Sequence, residues 1–292
     1  MIAALEREVT MRFIPTAALA LLVAAPAGAA DEATVRIASG VPGGTYRDIY
    51  AKNLEAELPG TRVKQLETTG SGENFELLVA RKADLAFVQA DVFAARTSEE
   101  PYLLQGLTVL GTLSNECIYV ARRKDGAIKS MGDLGKPVDG EPANVSIGPD
   151  ESGMSGSWDY LVTLEPSLAE ATLNDDAGDV ALGKLGSGEL DAVAWVTDPS
   201  NLEHDLLRRV REDRALELMP VDDPQFASVL PDGTQVYRLE TVETNPRRLA
   251  PGKLATVCTS ALLVAQRDAD SAVVKKVQNL LRDERDKIVK RR

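Results

Sequence analysis

A chain of 292 residues, 44% hydrophobic and 27% charged, can bury a large core and form more than one lobe. Its formal net charge of −12 argues against a nucleic-acid partner, which needs a basic face. A small anionic ligand stays open, because the local field of a site can oppose the global sign.

In chain order, residues 1–30 read as a secretory signal, with Met11 as the expected start because Glu6 and Glu8 suit a signal poorly. One Arg precedes an apolar run over Ala17–Ala25, and Ala27-Gly28-Ala29 forms a small-x-small cleavage site. No cysteine lies near that site, so no lipid anchor is expected. No later stretch reaches membrane-spanning length. The mature chain is therefore expected in the periplasm, unanchored and not membrane-embedded.

The next elements come as a strand, Val35–Ala38, then the turn Gly40-Val41-Pro42-Gly43-Gly44, then a helix opening at Thr45 and Tyr46. The helix has an apolar line of Tyr46, Tyr50, Leu54 and Leu58. A strand near Arg62–Leu66 follows, then a helix near Glu73–Arg81 that should bury Phe75, Leu78 and Val79. A strand entered at Asp84 ends near Gln89 and Asp91. The second half repeats the pattern. A strand, Asn144–Ile147, meets the glycine-rich turn "GPDESGMSG" and a helix. A helix over Ala177–Leu185 then leads to a strand entered at Asp191 and closed by Asp198. Gly40 precedes Asp84 by 44 positions, and Gly148 precedes Asp191 by 43. Short apolar strands alternating with helices imply parallel sheets, and two copies imply two similar α/β lobes. Long β-rich runs, Gly106–Arg123 and Lys253–Arg267, flank the second copy, and an amphipathic helix over Asp270–Ile288 closes the chain. Expected boundaries are 31–120 plus 256–292 for lobe I and 121–255 for lobe II.

The first amides of a helix lack internal partners and carry partial positive charge, so each glycine-rich turn is a candidate anion site. A plain strand-to-helix connection capped by Thr45 is the other reading. In "TTGSGENFELL", Ser71 and Asn74 can contact a ligand or serve as helix start residues. Trp195 can pack on a ligand, line a hinge or lie in the core. Cys117 and Cys258 sit one in each long run. If the runs pass side by side a disulfide is expected; otherwise both are buried thiols. Their spacing fits no metal motif. "GDVALGKL" has Leu185 where a phosphate loop needs Ser or Thr, and it precedes a strand instead of following one. His204, the single histidine, reads as a solvated helix residue. No nucleophile elbow, clustered metal ligands or cofactor motif appears, so no catalysis, metal or cofactor is expected.

Together, "GVPGGTYRDIY", "TTGSGENFELL", "KADLAFVQAD", "IGPDESGMSG" and "GELDAVAW" resemble the TAXI family of extracytoplasmic solute receptors, which serve TRAP transporters. The resemblance covers most of the mature chain in order. It implies a two-lobed type II periplasmic-binding-protein fold with the ligand cleft between lobes. It also implies capture of a small organic anion, an amino acid or dicarboxylate such as glutamate or 2-oxoglutarate, for a TRAP membrane permease driven by an ion gradient. By position, Gly44, Thr45 and Tyr46 match the first binding turn, Ser71 and Asn74 the second, and Gln89 the strand-end glutamine. Ser152 and Gly153 match the second-lobe turn. Where the family continues with Thr, this chain has Met154, and Ser155 is expected to supply the hydroxyl; Trp195 completes the expected set. The protein is expected to be a monomer. The rival readings are a receptor of the same fold for an ABC importer or sensor kinase, and an enzyme on this fold.

Overall fold

The computed structural model describes residues 33–227, 229, 233, 235–245 and 252–290, so the expected signal segment lies outside the described residues. The first half comprises β1 (Ala33–Ala38), a π-helical stretch (Tyr46–Ala51) running into α1 (Lys52–Ala56), β2 (Thr61–Leu66), α2 (Ser71–Val79), β3 (Leu85–Gln89) and α3 (Ala90–Glu99). The long strand β4 (Leu107–Arg123) follows. The second half comprises β5 (Asn144–Ser146), α4 (Gly153–Leu164), β6 (Thr172–Asn174), α5 (Gly178–Ser187), β7 (Ala192–Thr197), α6 (Asp205–Glu212), β8 (Leu216–Met219) and β9 (Arg238–Glu243). The chain then returns through β10 (Lys253–Gln266) to α7 (Ser271–Asp283) and α8 (Asp286–Val289).

The repeat is physical. Asp84 donates its amide to Arg36 O (2.9 Å) and accepts the Arg36 N–H on Oδ2 (2.7 Å). Asp191 does the same with Asn144, at 2.8 and 2.9 Å. Each aspartate thus fastens the entry of its strand to the parallel neighbour. The Ser39 amide donates to Leu66 O at 3.1 Å and the Ile147 amide to Asn174 O at 3.1 Å, in corresponding places. β1 pairs in parallel with β2 and β3, and β5 with β6 and β7.

The halves do not form separate sheets, as two similar lobes had suggested. Hydrogen bonding runs unbroken in the order β2-β1-β3-β10-β4-β7-β5-β6. The reason is length: β4 has 17 residues and β10 has 14, enough to serve both halves. Their N- and C-terminal portions pair together from Leu107–Gln266 to Cys117–Cys258. Beyond that point β4 continues to β7 and β8, while the preceding part of β10 pairs with β9. A disulfide joins Cys117 to Cys258 at this fork.

Tyr46, Tyr50, Leu54 and Leu58 are all buried against β1, β3 and α7, as their spacing requires. Two details differ from expectation. Val79 is 37% exposed, because it lies one residue round the helix from Leu78, which faces the sheet. The closing amphipathic helix is interrupted between α7 and α8; Ile288 nevertheless reaches the core. The "GDVALGKL" segment lies within α5, where Lys184 pairs with Asp176 (2.7 Å).

Candidate functional site at the junction of the two halves

The first glycine-rich turn supplies part of its own counter-charge. The Gly43 amide donates to Asp48 Oδ2 (2.7 Å), and the Gly44 amide to Val41 O (3.0 Å). Gly44 and Thr45 are half-buried. Tyr46 is buried, and its hydroxyl donates to Glu116 Oε2 (3.0 Å). Arg47 turns away to pair with Glu67 (2.6 Å).

The second turn leads from β2 into α2. Ser71 Oγ donates to Gln89 Oε1 and accepts the Gln89 amide, both at 3.1 Å. Asn74 is spent on the fold. Its amide group donates to Ser39 O (3.0 Å) and Phe87 O (2.7 Å), and its oxygen accepts Thr68 Oγ1 (2.6 Å). It therefore locks the ends of β1 and β3 to the turn.

The third turn belongs to the second half. Ser152 Oγ accepts the Ser155 amide (3.2 Å) and caps α4. This turn docks on the α2 turn backbone to backbone. A Cβ added at Gly70 would lie 2.7 Å from Gly153 N, and one at Gly72 would lie 2.7 Å from Glu151 O. The Glu73 amide donates to Glu151 O (3.1 Å), and Arg96 pairs with the Glu151 carboxylate (2.8 Å). A Cβ at Gly153 would overlap Gln89 Oε1. Gln89 Nε2 then donates to Ser157 Oγ (2.9 Å) on α4. Ser71, Gln89, Ser152 and Gly153 are thus brought together, with Tyr46 joined through Ser71. Ser155 is half-buried beside them.

Trp195 is placed elsewhere. It stacks between Tyr119 (5.6 Å, 13°) and His204 (6.2 Å, 8°), in the core beneath α5 and α6, whereas α4 packs on Ala192 and Ala194. His204 is correspondingly not a solvated helix residue. It precedes α6, lies half-buried on the indole, and burial pushes its imidazole down from the ordinary range, partly offset by Asp205.

Sequence reasoning missed two buried acids at this junction. Asp91, seen only as a landmark of the repeat, accepts hydrogen bonds from Ser157 Oγ and Tyr237 Oη (2.6 Å each) and from the Val92 amide (2.9 Å). Burial pushes its carboxyl up, and those bonds pull it back. Glu116 is 6% exposed on β4, and burial lifts its carboxyl to about 8. Burial also pushes the Tyr46 phenol well up, with the Glu116 charge adding and a Ser71 hydrogen bond opposing. The available signal was an acid inside the apolar β run "LSNECIYV", since a buried acid is rare without a partner. Replacing Asp91 by Ala is expected to cost about 3 kcal/mol, because two buried hydroxyls lose their acceptor. Urea unfolding reads this, and a loss below about 0.5 kcal/mol would count against the network.

The chain carries the two-lobed type II periplasmic-binding-protein fold. It is similar to the substrate binding protein of an amino acid ABC transporter, at 14% identity, over 88% of this chain and 97% of that one, with a TM-score of 0.50. It is also similar to XAC2383 from Xanthomonas citri bound to ATP, at 11% identity, over 88% of each chain, with a TM-score of 0.51. Identities this low carry the fold and not the ligand. Residues 37–290 match the NMT1-like family, and the chain belongs to it. No curated protein matches the sequence. Among the described residues, no helix is long and apolar enough to cross a membrane, and no group of three His, Cys, Asp or Glu residues is arranged to hold a metal ion.

Proposed function

We propose that the protein is a periplasmic solute receptor that binds a small organic anion, an amino acid or dicarboxylate of the glutamate or 2-oxoglutarate kind, and delivers it to a TRAP-type permease. The observation that carries this reading is the meeting of the α2 turn, the end of β3 and the α4 turn at one polar junction between the halves. Ligands in α/β folds bind outside the carboxyl ends of strands, and these turns occupy those ends.

The proposed contacts are the backbone of Gly44 and Gly153 and the side chains of Thr45, Tyr46, Ser71, Gln89, Ser152 and Ser155. Asn74 acts by holding the turns in place, and Trp195 by shaping the wall of the second half. The docked α2 and α4 turns must part to admit solute. β4 and β10 are the chain crossings about which the halves of the proposed lobes, 31–120 with 256–292 and 121–255, would turn. A solute touching both turns then favours closure through contacts it makes in full only there. The TRAP assignment rests on the sequence resemblance, and an ABC importer is the competing client.

A thermal-shift panel of small organic acids and amino acids tests the receptor reading. A true ligand at 100-fold its Kd should stabilise the protein by about 2.7 kcal/mol. It should be recovered unchanged after incubation; turnover would favour an enzyme. Uptake into vesicles carrying the permease should then follow an ion gradient and not ATP. A panel with no stabilising solute would remove the proposal.

A further inference from the structure

The electrostatics of the junction point to one part of the solute. Asp198 and Asp91 both lie within electrostatic reach of the buried Glu116, and each reinforces the upward push on its carboxyl. Tyr46 donates to Glu116 (3.0 Å), and Tyr50 donates to Asp198 Oδ2 (3.4 Å) across the halves. One buried hydroxyl beside Glu116 has no partner. Thr259, 1% exposed, is the register partner of Glu116 across the β4–β10 ladder, so both side chains leave the same face, yet its Oγ1 makes no hydrogen bond. Asp91 and Asp198 each accept a backbone N–H, from Val92 and Ser200, whereas the hydrogen bond found at the Glu116 carboxyl among the described residues is that from the Tyr46 hydroxyl. Glu116 and the unpaired Thr259 hydroxyl beside it are therefore the groups that an N–H donor could still satisfy.

We propose that Glu116, Asp198 and Thr259 seat a protonated amine of the solute, so that the receptor takes amine-bearing acids in preference to their 2-oxo analogues. This rests on the receptor reading above. In a zwitterionic solute the carboxylate meets the helix N-termini of the turns, and the ammonium meets Glu116. Glu116 holds its proton near neutrality in the free protein and gives it up as the ammonium arrives, so binding releases a proton to the buffer.

Titration calorimetry on the mature chain at pH 7 tests this with matched pairs: L-glutamate and 2-oxoglutarate, L-aspartate and oxaloacetate, L-alanine and pyruvate, L-leucine and 4-methyl-2-oxopentanoate. In at least one pair the amino acid should bind at least about tenfold more tightly than its partner. Its enthalpy should differ between phosphate and Tris, as proton release requires. Glu116→Gln should bring the two members of that pair within about threefold and abolish the buffer dependence. Thr259→Val should weaken the amino acid alone. The wild-type pair comparison stands even if a variant does not fold. A 2-oxo acid binding as tightly as its amino acid in every pair that binds, or a preference unchanged in Glu116→Gln, overturns the amine seat. Binding of succinate with no amino acid bound overturns the seat and keeps the receptor. No binding by any solute overturns both.

Discussion

Removing the Cys117–Cys258 bond is expected to lower stability by about 5 kcal/mol, the largest effect of any single change considered for this chain. The two cysteines are 141 positions apart, and the loop between them holds β5 to β9 and their helices. In the chain-entropy account, tying the ends of so long a loop restricts the unfolded chain most, with native strain able to subtract from the gain. The bond also sits at the last paired position before β4 and β10 part, so it fixes the base of the fork. It leaves the turns at Gly70 and Gly153 free to separate. Urea unfolding with and without dithiothreitol, alongside a Cys117→Ala, Cys258→Ala double variant, measures the effect. Both reduced forms should unfold at clearly lower urea, while ligand affinity of the folded protein changes little. Equal midpoints in oxidised and reduced protein would show that the crosslink adds nothing. Alkylation of the unreduced, denatured protein should label no thiol.

Much of this architecture is legible because period and punctuation are local. The i, i+4 line from Tyr46 to Leu58 and the aspartates at 84 and 191 mark elements that the structure contains. The turns at Gly40, Gly70 and Gly148 are legible for the same reason: each has positive φ, which glycine accepts freely. Partnership across the halves is not local. Nothing near Asn74 in sequence announces that Ser39 and Phe87 will consume its amide, so a candidate ligand contact becomes a fastening. Trp195 reads equally as wall or core until the pleat of β7 puts it on the side of α5 and α6. His204 looks solvated because the helix it precedes is highly charged; only the indole beneath it, nine positions away, makes it half-buried. Glu116 is hidden by composition, one acid among 45 Asp and Glu residues, and acquires meaning only through Tyr46.

Between about pH 4.5 and 8 the ligand-free protein should lose stability as pH rises, and Glu116→Gln should remove most of that slope. Burial is the main cause of the Glu116 carboxyl being held at about 8; the Tyr46 hydrogen bond opposes it, and Asp198 and Asp91 reinforce it. The unfolded chain releases this proton near 4.5, whereas the folded chain keeps it until about 8. Within that window the native state binds the extra proton, so stability falls with rising pH. The contribution is fully present below about 4.5 and is lost as pH passes about 8, a change on the order of 5 kcal/mol. Asp91 acts with the same sign at the acid end, since its carboxyl is also pushed up by burial. Glutamine keeps the shape, can accept the Tyr46 hydrogen bond and has no charge to bury. Glu116→Gln should therefore match the parent near pH 5 and exceed it at pH 8 and above. Tyr46→Phe should behave in the opposite way, because it removes the one hydrogen bond that favours the ionised carboxylate. Urea midpoints taken across pH 4.5–9 in the absence of solute decide the matter. Parallel profiles for the parent and Glu116→Gln would mean that the buried acid ionises without cost, and Glu116 would then have no deficit for a solute's amine to relieve.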